Sequence, residues 1–187
     1  MMQPQRCEAL APLRGHVLEI GFGTGLNLPY YPLEVTKLTA IDTERMLPTR
    51  VSKRIAEARM PVEQLQLDAG GRLPFDDGVF DGAASTFTLC SIADIATALK
   101  EIRRVLKPEG VLVFLEHGRS DDPRTAKRQD LFNPIERLIG RGCNLNRPID
   151  DLIRKGPFEI VKLERYLMPG VPRIFGEMYR GLAKQAN

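Results

Sequence analysis

A short apolar run, His16-Val17-Leu18, is followed at once by Glu19-Ile20-Gly21-Phe22-Gly23-Thr24-Gly25. This stretch constrains the fold more than any other. A strand that feeds a glycine-rich bend is how an open α/β sheet brings its backbone against a bound nucleotide. The spacing narrows the ligand. A dinucleotide-binding turn carries glycines as G-x-G-x-x-G, and the third of those positions is Leu26 here. Instead an acidic residue ends the strand and three glycines follow on alternate positions. A pyrophosphate is repelled by a nearby carboxylate, whereas a ligand with a cationic amino group is drawn to Glu19.

S-adenosylmethionine is a ligand of that kind, carrying an ammonium and a sulfonium. A glycine-rich bend is also a common structural device, so the assignment needs partners further along. The pattern predicts strands at 37–41 ending in Asp42, at 62–67 ending in Asp68, at 80–86 after the turn Asp76-Asp77-Gly78, and at 111–115. It predicts a short helix or turn at 26–31, stopped by Pro32, and a helix within 44–59 that Pro48 interrupts near its start. A longer helix is predicted at 92–106, where Ile95, Leu99, Ile102 and Leu106 share one face, and Lys107-Pro108-Glu109-Gly110 is expected to end it. Continuous apolar strands suit a parallel sheet covered on both faces. Residues 119–155 are rich in arginine and broken by Pro123, Pro134 and Pro148; they predict one or two helices over the carboxyl edge. Residues 158–167 and 173–182, joined by Met168-Pro169-Gly170, predict an antiparallel hairpin. The expectation is one domain over 1–187: a doubly wound, Rossmann-like α/β fold, its seven-stranded sheet mostly parallel.

A chain of 187 residues suits one domain with a full core. Its net charge of +3 gives no strong pull toward nucleic acid, and acidic residues interleave the arginines of 119–155 as on a solvated face. Cys7, Cys90 and Cys143 are an odd set without C-x-x-C spacing, which favours a reducing compartment and argues against a structural zinc site; no metal is expected. No apolar run approaches the roughly 20 residues of a membrane span, and 1–14 lacks a signal-peptide core. A soluble, cytoplasmic protein is expected.

Taken together and in order, these pieces resemble the class I S-adenosylmethionine-dependent methyltransferases. The likeness rests on 18–25, on Asp42 and Asp68-Ala69 after two strands, on Leu73-Pro74-Phe75 through Phe80-Asp81, and on Arg104-Val105-Leu106-Lys107-Pro108-Glu109-Gly110. Thr88-Leu89-Cys90-Ser91, Leu115-Glu116-His117, 142–147 (Gly-Cys-Asn-Leu-Asn-Arg) and 169–173 (Pro-Gly-Val-Pro-Arg) are similar to the methyltransferase-like thiol S-methyltransferases and their bacterial relatives. Those relatives carry a further N-terminal segment over the cofactor, and the animal members a membrane anchor. Only about fifteen residues precede the first strand here, so the resemblance implies an uncovered cofactor site and no anchor.

The resemblance implies S-adenosylmethionine as cofactor and a small-molecule acceptor, a thiol first. A lipid head-group amine or a quinone-like ring stays open as acceptor, and so does a cofactor-binding module without turnover. Asp42 is expected on the ribose hydroxyls, since a carboxylate accepts two donors; it also suits a helix cap. Thr43 follows it, and Met46 suits either the adenine face or the core. Asp68 and the Ala69 amide are expected at the adenine edge. Glu19, with Gly21, Phe22, Gly23, Thr24, Gly25 and Asn27, is expected around the methionine amino group, and Thr86 beside it. Cys90 is expected to face the cavity near the transferable methyl as an apolar wall. His117 is the candidate general base, with Glu116 behind it, for an acceptor that needs deprotonation; a structural histidine fits the same position. Cys143, Asn144 and Arg147 are expected on the acceptor side.

Overall fold

The computed structural model describes residues 2–44, 48–140 and 142–186. Its strands are β1 Gly15–Ile20, β2 Val35–Asp42, β3 Val62–Gln66, β4 Phe80–Thr86, β5 Leu106–His117, β6 Phe158–Leu167 and β7 Glu177–Gln185. They form one sheet in the order β3-β2-β1-β4-β5-β7-β6. The first five run parallel, and β7 inserts antiparallel between β5 and β6. The expected mostly parallel sheet with a C-terminal antiparallel pair is therefore the fold. Strand β1 pairs with both β2 and β4, so the chain changes direction beside it. The crevice at such a reversal, outside the carboxyl ends of the strands, is where doubly wound sheets bind ligands.

Alternation along β1 explains why it is buried on both sides. Leu18 and Ile20 enter one apolar cluster with Leu99, Ile102 and Phe114, while Val17 enters another with Leu10, Leu38 and Val113. The helices are α1 Gln3–Leu10, α2 Pro48–Ala56, α3 Ile95–Val105, α4 Pro123–Ile139, α5 Ile149–Lys155 and α6 Arg173–Gly176. Helix α3 buries Ile95, Ala98, Leu99, Ile102 and Val105 on one stripe; each large aliphatic contributes about 1.5–3 kcal/mol by leaving water.

Several boundaries differ from the sequence expectation for identifiable reasons. Helix α3 starts at Ile95, not 92, because the Asp94 carboxylate caps it, accepting from the Thr97 amide at 3.0 Å and the Thr97 hydroxyl at 2.7 Å. Residues 107–110 are not a separate turn: Leu106 is already extended and opens β5 directly. Phe80 pairs with Leu106 and Gly82 with Val111, so the intervening residues bulge out of the ladder, where Pro108 needs no amide hydrogen. Residues 173–176 begin the second arm of the hairpin as a helical turn, α6, before β7. Of the three prolines in 119–155, Pro123 opens α4 and Pro148 precedes α5, leaving only Pro134 inside a helix. Among the described residues, no helix is long and apolar enough to cross a membrane.

Candidate active site

The glycine bend leaves β1 at the crevice. The amides of Gly21 and Phe22 both donate to the Ile41 carbonyl, at 2.9 and 3.2 Å, which ties the bend to the end of β2. Two of its glycines are required for different reasons. Gly21 has φ +74°, and a Cβ there would stand 1.8 Å from the Thr88 hydroxyl oxygen, so this position serves close packing. Gly23 has φ +54°, and a Cβ there would meet nothing within 4 Å. That face of the backbone is bare toward the crevice. A cavity of about 420 Å³ lies there, bordered by Gly21, Gly23, Asp42, Asp68, Ala69 and Ile92.

A second cavity of about 260 Å³ adjoins the first through Gly21, Gly23 and Phe87. Its polar end is Glu19, which is buried on β1. The Tyr31 hydroxyl donates to one Glu19 oxygen at 2.8 Å and the Asn27 amide to the other at 2.7 Å. Burial pushes the Glu19 carboxyl up to about 7, with Tyr31, Asn27 and Arg6 pulling in the opposite direction. Arg6 reaches this cavity from α1, donating to Asn27 Oδ1 at 2.5 Å and Thr86 Oγ1 at 3.2 Å. An ion pair and a hydrogen bond from Arg180 to Glu8 and Gln5 hold α1 in place. A buried carboxylate and a guanidinium thus flank one small cavity, as the ammonium and carboxylate of an amino acid require.

Most predicted positions fall around these two cavities. Asp42 lies at the end of β2, its Oδ2 accepting from the Gly23 amide at 2.8 Å and its Oδ1 from Glu44 at 3.1 Å. Thr43 follows, exposed at the rim; Met46 lies outside the described residues. Asp68 is exposed and accepts from the Gly70 amide at 2.8 Å, beside buried Ala69. Thr24, Asn27 and Thr86 border the second cavity, where Phe22 and buried Gly25 complete the bend. The backbone at Phe87 has φ +57°, a left-handed conformation uncommon for a bulky residue and costing about 1–3 kcal/mol.

Two expectations are corrected. Cys90 is fully buried and does not border the first cavity; its neighbour Ser91 does. Glu116 does not stand behind His117 as a base. It is buried, with its carboxylate accepting from the Ser85 hydroxyl and the Thr88 and Leu89 amides, so it fixes the loop after β4. Of the residues before β1, α1 brings Arg6 onto the second cavity.

The two distant cysteines meet. The sulfurs of Cys90 and Cys143 are 3.3 Å apart, and His117 Nε2 lies 2.6 Å from Cys143 Sγ. The Cys90 thiol, hydrogen-bonded to Cys143 and buried, is pushed up and keeps its proton. Cys143, hydrogen-bonded to Cys90 and facing His117, is held down at about 5, although burial opposes this. Burial alone would lower His117; the Cys143 thiolate outweighs it and the imidazole is raised. The Asn144 amide and side chain donate to the Cys90 carbonyl at 3.1 and 2.8 Å, and Arg147 donates to the carbonyls of Leu89 and Ile92, both at 2.6 Å. Asn144 and Arg147 therefore fasten the loop of Cys143 to the loop of Cys90.

The sequence profile described as "Methyltransferase domain" matches residues 18–114, just over half of the chain. The chain belongs to this methyltransferase family. The thiol S-methyltransferase TMT1B of Homo sapiens is 32% identical over 169 residues, covering 86% of this chain and 69% of that protein. The thiol S-methyltransferase TMT1A of Homo sapiens is 31% identical, covering 82% of this chain and 64% of that protein. A crystal structure of the 1,6-didemethyltoxoflavin N1-methyltransferase of Burkholderia thailandensis, with bound S-adenosylhomocysteine, has the same fold. Its TM-score is 0.70 at 19% identity, over 100% of this chain and 78% of that one.

S-adenosylmethionine is the cofactor of this methyltransferase, and the donor set fits it: bare backbone at Gly23, a carboxylate at Asp42, and Glu19 facing Arg6. Sequence reasoning missed Arg6, Tyr31 and Phe87. Nothing in the spacing of Arg6 links it to Asn27, and its contacts form only once α1 packs beside β5 and β7. Tyr31 carried a signal, since a tyrosine twelve residues past a buried acid on the same strand–turn unit is within reach of it.

Proposed function

We propose that this protein transfers the methyl group of S-adenosylmethionine to the sulfur of a small thiol. The donor half rests chiefly on one observation: buried Glu19 and Arg6 flank a cavity continuous with the glycine bend. The thiol half rests on the likeness to the two human thiol S-methyltransferases. In this reading Glu19 takes the ammonium and Arg6 the carboxylate of the methionine portion. Asp42 accepts the ribose hydroxyls, and Asp68 with the Ala69 amide takes the adenine edge. Thr86 orders Asn27 and Arg6 between them.

When bound, the cofactor supplies a methyl group already activated by its sulfonium. The protein's part is then to position the acceptor in line and to strip water from it. A thiol has a reference pKa of about 8.5 and is partly ionised at neutral pH, so it places little demand on a general base. Phe87 and Ser91 border the cofactor cavity and contact the cluster of Cys90, His117 and Cys143, and in this reading polarisable sulfur and imidazole face the acceptor. Three free cysteines suit a reducing compartment, and we assign the protein to the cytoplasm.

The test is incubation with methyl-labelled cofactor and a panel of alkyl thiols. Labelled thioether is expected; label appearing on another acceptor while every thiol stays unlabelled removes the thiol assignment. One observation favours a lipid-phase acceptor instead. Helix α4 exposes Leu131, Phe132, Ile135 and Leu138 on one stripe, Leu138 at 84%, with Arg124, Lys127 and Arg128 nearby. Flotation with anionic liposomes, followed by mass analysis of the lipid, separates that reading from the first.

A further inference from the structure

We propose that Cys90, His117 and Cys143 form a Cys2His zinc site whose fourth position takes the acceptor's thiol. This rests on the thiol reading above and supplies what that reading lacks, a group that holds the acceptor sulfur. Among the described residues this is the one group of three metal-ligand side chains brought together: Sγ, Nε2 and Sγ all lie within 4.8 Å of one another. They come from three different segments, namely the loop after β4, the end of β5 and the loop between α4 and α5.

The ligand chemistry selects the ion. Two thiolates and one imidazole are soft to borderline donors and favour zinc over magnesium or calcium. Three protein ligands with one open position are the pattern of a catalytic zinc, whereas a structural one is closed by four. With zinc–sulfur bonds of about 2.3 Å and zinc–nitrogen bonds of about 2.0–2.1 Å, tetrahedral ligand atoms stand roughly 3.5–3.8 Å apart. Two pairs here are 3.3 Å for the two sulfurs and 2.6 Å for His117 with Cys143, so each must spread by about 1 Å or less, while the third pair, Cys90 with His117, lies within 4.8 Å. The frame for that is already fixed, since Asn144 and Arg147 tie the Cys143 loop to the backbone of residues 89–92. Cys90 is buried, while His117 and Cys143 are partly exposed and leave the ion a path from solvent.

The site also lies where an acceptor must. Cys90 Sγ is 3.5 Å from the hydroxyl of Ser91, which borders the cofactor cavity. The ring of Phe87, which borders both cavities, is centred 6.4 Å from that of His117. A thiol binding in the open position gives up its proton to solvent and remains a metal-bound thiolate. In the transfer its sulfur forms the new bond to the methyl carbon while the bond from that carbon to the sulfonium breaks. The electron pair of the broken bond stays on the departing thioether, and the acceptor leaves as a neutral methyl thioether.

The test reads metal and thiol without reading methyl transfer. The protein, reduced with a phosphine and freed of metal, is titrated with cobalt(II) as a spectroscopic stand-in for zinc, and then with 2-mercaptoethanol. One cobalt per chain with a thiolate charge-transfer band and tetrahedral visible bands is expected, together with a change of that spectrum when the thiol is added. Cys143→Ser and His117→Ala, each checked for folding by circular dichroism, are expected to lose the spectrum. Zinc added at one equivalent should displace the cobalt. Absence of the bands in the wild type, bands indifferent to 2-mercaptoethanol, or bands kept in both variants would each overturn the proposal. A thiol-responsive spectrum in a protein that methylates no thiol would leave this site standing and count against the proposed function alone.

Discussion

Cofactor binding should release a proton from Glu19. The residue is buried, and its carboxyl is raised from 4.5 to about 7, so near neutrality the ligand-free protein holds it half protonated. An ammonium placed against it favours the ionised form. If the ligand binds only that form, affinity falls tenfold for each pH unit below the pKa. For a carboxyl at about 7, binding of S-adenosylhomocysteine should be about 25-fold weaker at about pH 5.5 than at about 7.5. Well above about pH 7 the carboxyl is already ionised in the free protein, and the gain should stop. Calorimetry in two buffers of different ionisation enthalpy measures both quantities, and close to one proton should leave per ligand at about pH 6. Glu19→Gln keeps the shape and removes the titration. Its affinity at about pH 7.5 should drop roughly 10- to 100-fold, the worth of one charge-assisted hydrogen bond, and its pH dependence should flatten. An affinity flat from about pH 5.5 to 7.5 in the wild type, or the same slope surviving in Glu19→Gln, would refute the reasoning.

The same carboxyl should govern the stability of the ligand-free protein. Between 4.5 and about 7 the folded chain binds the Glu19 proton more tightly than the unfolded chain, so unfolding free energy should fall with rising pH across that window. The fall is at most about 3 kcal/mol, and urea titrations showing no difference in this slope between wild type and Glu19→Gln would contradict it. Gly21→Ala should destabilise the fold and abolish cofactor binding, because its Cβ meets Thr88 at 1.8 Å. Gly23→Ala should cost only about 1 kcal/mol of stability, for its φ of +54°, yet still weaken binding more than tenfold by filling the bare face. Equal effects of the two on melting temperature would show that the glycines are not divided in this way. Glu116→Ala should lower unfolding free energy by about 3–5 kcal/mol, since the Thr88 and Leu89 amides lose a buried acceptor; a loss under about 1 kcal/mol would mean that the loop finds other partners.

Much of the fold was legible because its signals are local. Strand β4 was placed to the residue, and β1, β2 and β3 within one or two residues of each end, since buried parallel strands are continuous apolar runs bounded by turn residues. Boundaries slipped where a side chain overrode the pattern, as when Asp94 capped α3 three residues late, or where a pairing did, as in the bulge after Leu106. The positions proposed for the cofactor gather at one edge for a related reason. Glu19, the glycine bend, Asp42 and Asp68 all lie at strand ends, and the order of strands in a parallel sheet brings their carboxyl ends to one edge.

The meeting of Cys90 with Cys143 was not legible, because it spans 53 residues of chain. Cys90 and Cys143 have no motif spacing, and their sulfurs become neighbours only when the loops after β4 and α4 are fastened by Asn144 and Arg147. Arg6 is similar: an arginine on a short polar segment carries no sign of its target until α1 docks. The sequence by itself determined the sheet, its bend and the kind of ligand that the bend accepts, since periodicity and glycine chemistry act over a few residues. Tertiary structure alone decided how strongly Glu19 is buried, what faces it, and which thiols and imidazole meet. Desolvation and long-range contact belong to the packed whole, and no local stretch of chain encodes them.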